Sequence, residues 1–432
     1  MSNIAPVGYI PYSSSAPGVE ATWLADALGC RVDLFDGRET FNVGDHQDLP
    51  DADHVCAAVR PLLAHDWIVA EGPGAFLWTA VLRACGFEGG ITMLPSLNPM
   101  SWFDLSVLSV YRRFATLYDR VFVGSSASAG IYCGLGIDAQ VGEPYGIDCD
   151  IFRPRSDFRV ALEPLGVTGG PIALFSARIE PDKDLYRLLG AALKAKILFP
   201  DLKILIASHV VDPSYVSIVE RVLDEERGVH LILNPSRDRL ARLYTAADVF
   251  VTASTSHFET FGRAPAEALA CGTSTIAPRY DGFAEVLAQP GGTLVDVEIE
   301  DGVPRVPEAR LLRAIYEQLT APNAPSTETI SRIARGRFCR SHNIGLLAHL
   351  VRPPSAAPTT PVIPERVDVP MPPPWRAALA AMQEMQPEEA LAHLWETREH
   401  VILSKLNSEF RTTMRVALAK VGTTQRHVVA LG

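Results

Sequence analysis

The sequence is poor in cysteine, and its seven thiols never stand in the C-x-x-C spacing that metal-binding and redox motifs use. They are Cys30, Cys56, Cys85, Cys133, Cys149, Cys271 and Cys339. An odd number of scattered cysteines is typical of a protein that keeps them reduced, so we expect structural thiols and a cytoplasmic location. The first residues also lack a basic stretch followed by an apolar run, which argues against a secretory signal.

Long apolar runs and excess positive charge are missing as well. No stretch of about 20 apolar residues occurs, so no transmembrane helix is expected. The formal net charge of −11 argues against the broad basic surface that nucleic-acid binding needs, although a small basic pocket for a phosphate remains compatible with it. What the chain does have is 432 residues of which 47% are hydrophobic, enough for two domains and an appendage.

Short apolar strands alternate with helical segments along two stretches of the chain. Val7–Ile10 and Trp67–Ala70 are strand-like in the first stretch, and Pro171–Ser176 and Leu202–Ala207 in the second. This alternation predicts an α/β fold of two Rossmann-like, doubly wound domains that face a cleft. The expected divisions are residues 1–155, residues 156–350, a proline-rich linker over 351–374 and a helical extension over 375–432.

The C-terminal part differs in composition. Nine prolines fall between Arg352 and Pro374, which indicates an extended linker, and helices are expected over Trp375–Met385 and about Pro387–Val421. An apolar stripe at helical spacing marks the second helix: Leu391, Trp395, Ile402, Leu406, Phe410, Met414 and Leu418. Such a stripe needs a cover, either the chain's own first domain or a second copy, and we favour a homodimer.

Two glutamates separated by seven residues, Glu259 and Glu267, form the strongest chemical motif. They follow the strand Val249–Thr252 where a loop enters a helix, and ligands of open α/β sheets bind beyond the carboxyl ends of the strands. Gly262 lets the backbone approach a ligand, and two carboxylates suit a ligand rich in hydroxyl groups. By themselves they could also be a helix cap and a solvated helix residue.

The flanks Ala247–Val251 and Ala268–Thr273 point to a family. With them, the segment resembles the donor site of retaining GT-B glycosyltransferases, the group often called family 4. Upstream, Phe175–Lys183 resembles that family's G-R-L-x-x-x-K segment. The likeness is good over about residues 115–300. It implies transfer of a sugar from a UDP- or GDP-sugar to an acceptor with retention of configuration.

The resemblance also implies roles for individual residues. Arg178 and Lys183 would stabilise the departing diphosphate, since fixed cations favour charge that develops in the transition state. Glu259 would hold sugar hydroxyls and complete the catalytic set, while Glu267 would accept from the ribose hydroxyls. The remaining donor-binding positions are Gly18, Phe261, Gly262, Arg263 and Ala264. No obligatory metal is expected, because the D-x-D triplet Asp148–Asp150 lies in the joint between the domains.

The acceptor side departs from the family pattern. Ser13–Glu20 contains one glycine where the family has two, and Glu71 follows a strand after which the family often has histidine. The acceptor-side candidates are Tyr12, Ser13, Glu71, Asn98, Tyr145 and His257. These departures suggest a small-molecule acceptor of antibiotic or other secondary metabolism. S-glycosylation of a thiol in lincosamide biosynthesis is one hypothesis, which no residue demonstrates.

Three other functions use the same features. A GT-B sugar-nucleotide epimerase or hydrolase would share the donor site but lack an acceptor pocket. A non-catalytic, sugar-nucleotide-binding partner subunit would keep the fold, although retention of both carboxylates and both cations argues against the loss of donor binding. A binding module without chemistry is the simplest alternative.

Overall fold

The computed structural model describes residues 6–11, 17–35, 52–72, 74–99, 101–142, 146–209, 220, 228–322, 324–342, 369, 373–387, 389–390, 414–416 and 418–419. The chain divides into two compact units. Unit 1 comprises Met1–Tyr145 and Ile344–Met414, and unit 2 comprises Gly146–Asn343 and Arg415–Gly432. No helix in this described part is long and apolar enough to cross a membrane.

Unit 1 contains a parallel sheet of six strands in the order β2-β1-β3-β4-β5-β6. The strands are β1 (Val7–Ile10), β2 (Val32–Leu34), β3 (Trp67–Glu71), β4 (Gly90–Leu94), β5 (Asp119–Val123) and β6 (Gln140–Val141). The helices are α1 (Pro17–Leu28), α2 (Ala52–Val59), α3 (Ala75–Ala84), α4 (Trp102–Phe114) and α5 (Ser126–Gly134). Every residue of β1 and β4 is buried, as expected for parallel strands covered on both faces.

Unit 2 contains a second parallel sheet, in the order β12-β11-β10-β7-β8-β9. Its strands are β7 (Ile172–Ser176), β8 (Lys203–Ser208), β9 (Val229–Leu233), β10 (Val249–Val251), β11 (Ser274–Pro278) and β12 (Gly292–Val295). An antiparallel hairpin follows, formed by β13 (Glu298–Glu300) and β14 (Val303–Arg305). The helices are α6 (Leu185–Leu198), α7 (Arg237–Ala246), α8 (Arg263–Ala270), α9 (Gly282–Val286), α10 (Glu308–Thr320) and α11 (Thr327–Phe338).

The central strand β7 supplies both faces of the unit 2 core. Leu174 packs into one hydrophobic cluster, whereas Ala173 and Phe175 pack into another on the opposite face. Successive residues of a strand point to opposite faces, so helices cover the sheet on both sides. The predicted α/β class with two doubly wound parallel sheets is confirmed.

The strand order reverses beside β7. The chain builds β8 and β9 on one side of β7 and then crosses to build β10, β11 and β12 on the other. The boundary between β7 and β10 is therefore the topological switch point, where open α/β sheets bind their ligands.

A disulfide bond joins Cys149 to Cys339, whose Cα atoms lie 5.5 Å apart. The expectation that the thiols stay reduced is wrong for this pair. The free cysteines are Cys30, Cys56, Cys85, Cys133 and Cys271. Backbone pairing explains the approach, since the N–H of Ile147 donates to the Phe338 carbonyl at 2.8 Å, and Arg340 donates back to the Ile147 carbonyl at 3.1 Å.

The C-terminal part is described only in pieces. A further helix, α12 (Pro373–Glu384), packs against α4 in unit 1, with the Trp375 and Trp102 ring centroids 5.6 Å apart. The proline-rich linker lies almost wholly outside the described residues. So does the apolar stripe from Leu391 to Phe410, while Met414 and Leu418 are described and buried. The homodimer stays a prediction.

Candidate functional site

The loops that follow β7 and β10 bring Lys183 and Glu259 together. The two strands are neighbours, with Val249 opposite Ala173, so their carboxyl ends reach the same edge of the sheet. Lys183 Nζ donates to Glu259 Oε1 at 2.7 Å, and the side chains are 7% and 15% exposed. Ser254 Oγ donates to the same oxygen at 2.7 Å. The site thus contains a nearly buried ion pair at the switch point.

Arg178 occupies the more open side of this loop cluster. Its guanidinium lies 3.2 Å from Glu180 and sits over the Phe258 ring at 5.3 Å, and its side chain is 40% exposed. The His257 ring centroid lies 4.2 Å from that of Phe258. A cation on an aromatic face gains electrostatic attraction while it keeps its hydrogen-bond donors available. His257, predicted on the acceptor side, therefore lies in unit 2 close to Arg178.

Gly262 forms the turn from the loop into α8. Its φ of 93° is left-handed, and a Cβ atom there would come within 2.8 Å of Phe283. Any other residue would have a strained backbone and a Cβ atom that collides with Phe283, so only glycine fits this position. The predicted residues Arg263 and Ala264 open α8, where backbone N–H groups attract anions. The Phe261 ring faces away into the core, 5.9 Å from Phe338, which leaves the backbone of Phe261 for the site.

Glu267 lies on α8 among several charged side chains. Burial raises its pKa to about 7, Arg263, Arg237 and Arg340 lower that pKa, and Asp148 raises it. Glu267 is half-buried. A carboxyl group with this pKa is not a freely solvated helix residue, so the structure argues against that alternative. The three arginines give Glu267 a cationic environment in an acidic chain.

The first aspartate of the D-x-D triplet is paired with cations. The Asp148 carboxylate lies 3.4 Å from Arg237 and 3.7 Å from Arg340. Across the described stretches, no group of three or more His, Cys, Asp or Glu side chains is arranged to hold a metal ion.

The β13–β14 hairpin supports the Lys183 loop, a feature that the sequence analysis missed. Arg305 on β14 lies 2.9 Å from Asp184, the residue after Lys183, and Asp184 adopts a left-handed conformation at the start of α6. Arg187 binds Glu300 on β13 through two contacts of 3.0 and 2.8 Å. Ser254 was missed too, although the run of hydroxyl residues after β10 was a usable signal.

In unit 1, two acceptor-side candidates lie at one sheet edge. Glu71 ends β3 and accepts from the Tyr9 hydroxyl at 2.5 Å. Asn98 follows the neighbouring strand β4 and is buried, and the preceding Leu97 carbonyl accepts from Tyr132 at 2.7 Å. Glu71 is thus the last residue of its strand, and Asn98 lies beyond the carboxyl end of its own.

Of the four remaining predicted positions, the structure describes one. Gly18 is the second residue of α1, so it begins a helix and does not lie in a loop. Tyr12, Ser13 and Tyr145 lie outside the described residues.

Comparison with known proteins places the unit 2 segment. Residues 162–305 match the family model described as Glycosyl transferases group 1. D-inositol 3-phosphate glycosyltransferase 2 of Catenulispora acidiphila is 35% identical over 161 residues, which are 35% of this chain and 37% of that protein. The D-inositol 3-phosphate glycosyltransferase of Mycobacterium leprae is 34% identical over 158 residues, 35% of each chain. The match thus spans little more than a third of these relatives.

Solved structures match over more of the chain. The crystal structure of Anabaena Alr3699/HepE in complex with UDP and glucose superposes with a TM-score of 0.63 at 18% identity, covering 80% of this chain and 98% of that one. Sucrose-phosphate synthase from Thermosynechococcus elongatus gives 0.59 at 19% identity, with 80% and 98% covered. These likenesses concern the fold, and they confirm the GT-B class.

Proposed function

We propose that this chain is a retaining glycosyltransferase that moves a sugar from a UDP- or GDP-sugar to a small-molecule acceptor. The observation that carries the proposal is the Lys183–Glu259 ion pair at the switch point, 2.7 Å between its charged atoms, inside the segment that matches group 1 glycosyltransferases. A lysine beside a carboxylate at the end of β7 offers one group for phosphate and one for sugar hydroxyls.

The contacts suggest how each group acts. Lys183 has three N–H donors, so it can keep Glu259 and still donate to a phosphate oxygen. Its contact and that of Ser254 both use Oε1 of Glu259, which leaves Oε2 to accept from the sugar. Arg178 adds a second cation for the diphosphate. Glu267 accepts from the ribose hydroxyls, and the N–H groups around Phe261–Ala264 hold sugar and phosphate.

The proposed chemistry needs no strong general base. The bond from the anomeric carbon to the diphosphate oxygen breaks, and the acceptor heteroatom bonds to the same face of that carbon. The departing oxygen takes the acceptor proton while the two cations neutralise its growing charge. Configuration at the anomeric carbon is therefore retained.

We propose that the acceptor binds on the side of Glu71 and Asn98 and belongs to secondary metabolism. A thiol of lincosamide biosynthesis remains one hypothesis. The curated relatives are named for D-inositol 3-phosphate, and an inositol phosphate is the natural competitor in an acceptor screen. Product mass against both classes decides between them. Homodimer formation stays part of this proposal, tested by light scattering before and after truncation at Arg352.

A donor screen tests the function itself. Ligand binding to the folded state at about 100 times Kd stabilises it by about 2.7 kcal/mol, a clear rise in unfolding temperature. We expect a UDP- or GDP-sugar to give this rise and to be consumed with an acceptor. Binding without turnover would indicate a partner subunit, and complete turnover without acceptor would indicate a hydrolase or epimerase. No response to any nucleotide sugar would contradict the proposal.

Affinity for the nucleotide sugar should depend on pH through Glu267. Burial raises the pKa of this group to about 7, so the ionised fraction falls as the pH drops. Only the ionised form accepts from both ribose hydroxyls, and we expect affinity to fall about tenfold from about pH 8 to pH 6. Calorimetry with an uncleaved nucleotide sugar measures this, because a free nucleoside diphosphate itself titrates near pH 6.

The matched variant for this titration is Glu267→Gln. It should bind more weakly and show a flat profile over the same range, since the amide does not ionise. A profile in the glutamine variant that is as steep as the native one would assign the titration to another group.

Turnover should also persist in EDTA. The Asp148 carboxylate of the D-x-D triplet already faces Arg237 and Arg340, and the leaving group has Arg178 and Lys183 for its charge. We expect rates within about twofold of the untreated enzyme, because cations of the protein stabilise the diphosphate. Loss of activity in chelator, restored by Mn²⁺ or Mg²⁺, would overturn this prediction.

A further inference from the structure

Arg415, far along the chain, contacts the loop that carries Glu259. Arg415 Nε donates to the Thr255 carbonyl at 2.8 Å, and its terminal NH2 donates to Thr255 Oγ1 at 2.5 Å. Thr255 is 1% exposed and lies four residues before Glu259. Two parallel donors on one residue fix both its backbone and its side chain, which a lysine cannot do in the same geometry.

The connection continues from Thr255 into the hairpin. The Thr255 hydroxyl donates to the Pro304 carbonyl on β14 at 2.8 Å. The next residue, Arg305, lies 2.9 Å from Asp184, which adjoins Lys183. One chain of polar contacts therefore runs from Arg415 past the Glu259 loop to the Lys183 loop.

Charge gives a second reason for an arginine at this position. The Tyr280 side chain is fully buried, and burial raises its pKa well above the usual value. The charges of Asp281 and Glu259 act in the same direction, whereas Arg415 opposes them. Two carboxylates thus lie in one poorly solvated region, where ions are costly unless cations compensate. Lys183 is one such cation, and Arg415 is placed to be another.

We propose that Arg415 is a positioning residue of the donor site: it holds the loop Thr252–Phe261 so that Glu259 faces Lys183 and the donor sugar. The inference rests on the proposed function and deepens it, because the C-terminal segment becomes part of the site. Arg415 acts through Thr255 and does not touch the substrate. Without Arg415, the loop samples other conformations. The apparent affinity for the donor then falls in proportion to the fraction of molecules whose loop keeps the binding-competent conformation.

The test compares Arg415→Ala and Arg415→Lys with a matched control in the full-length chain. The control is Arg313→Ala on α10, an arginine whose side chain is 79% exposed and paired with Glu317 on the same helix. Calorimetry gives Kd for a nucleotide sugar and for the corresponding nucleoside monophosphate. The monophosphate keeps the ribose that Glu267 is proposed to bind but lacks the transferred sugar. Unfolding temperatures and amide hydrogen exchange over Thr252–Phe261 are measured on the same samples.

We expect Arg415→Ala to raise Kd for the nucleotide sugar about tenfold or more and Kd for the monophosphate less than about threefold. Arg415→Lys should fall between, ethylguanidinium should partly restore the alanine variant, and exchange in the loop should rise. Arg313→Ala should match the native chain. Equal weakening toward both ligands with a lowered unfolding temperature would show a merely structural role and overturn the proposal.

The proposal and the function on which it rests can fail separately. A native chain that binds no nucleotide sugar would contradict the proposed function, and loop exchange would still decide the positioning role. Native binding with unchanged affinity and unchanged loop exchange in Arg415→Ala would reject the positioning role alone.

Discussion

Replacing Lys183 by alanine is expected to lower turnover about 100-fold or more, a loss of at least about 2.7 kcal/mol of transition-state stabilisation. The Lys183 ammonium group lies 2.7 Å from Glu259 and its side chain is 7% exposed. Its removal takes a cation from the departing diphosphate and leaves a nearly buried carboxylate without that partner. Steady-state rates at saturating donor measure the loss, and Arg178→Ala should cost a similar factor.

Two further variants separate chemistry from folding. Lys183→Met combined with Glu259→Gln removes both charges. Its unfolding temperature should therefore be higher than that of Lys183→Ala, while its turnover stays low. Lys194→Ala on α6 is the matched control, because this lysine is 60% exposed, pairs with Glu308 and should change the rate little. Near-normal turnover in Lys183→Ala and Arg178→Ala, with the fold intact, would refute the assignment of the site.

Loss of the Cys149–Cys339 disulfide should destabilise unit 2 by up to about 5 kcal/mol. The bond joins residues 190 positions apart, and a long closed loop restricts the unfolded chain most strongly. Urea unfolding of the double variant Cys149→Ser/Cys339→Ser should show a lower midpoint than the native chain. Dithiothreitol should shift the native chain toward that variant and leave the variant unchanged.

The cysteine control is Cys56→Ser, an exposed position on α2 in unit 1. Its unfolding should match the native chain, since it breaks no covalent link. Alkylation of the chain denatured without reductant, followed by mass measurement, counts the free thiols. Seven modified thiols, or an identical midpoint with and without reductant, would show that the bond does not form.

Strand positions were predictable because buried parallel strands are short, continuous apolar runs. The predicted strand Pro171–Ser176 is found as Ile172–Ser176, and Val249–Thr252 is found as Val249–Val251. Both sheet faces are covered by helices, so polar residues mark the strand ends clearly. The chemistry-bearing residues follow those ends, which is why Lys183 and Glu259 could be named from spacing and resemblance.

Contacts between distant segments were not predictable from one sequence. The Lys183–Glu259 pair depends on β10 lying next to β7, and strand order is a property of the folded sheet. Cys149 and Cys339 approach through backbone pairing at Ile147, which leaves no local pattern in the chain. The contact of Arg415 with Thr255 was not predictable either, because the apolar spacing of the Arg415 segment does not indicate which loop it contacts.

The parallel bridge between Ile147 and Cys339 brings together the two ends of a segment that makes up most of unit 2. Residues 147–340 begin and end beside the disulfide, where the Cys149 and Cys339 Cα atoms lie 5.5 Å apart. A segment whose two ends adjoin can be moved between proteins as one block. Residues 162–305, the part that matches group 1 glycosyltransferases, lie inside this block. Arg415 lies outside it. A transplant of residues 147–340 would carry Lys183 and Glu259 but leave Thr255 without its guanidinium, so a working chimera needs both pieces of the chain.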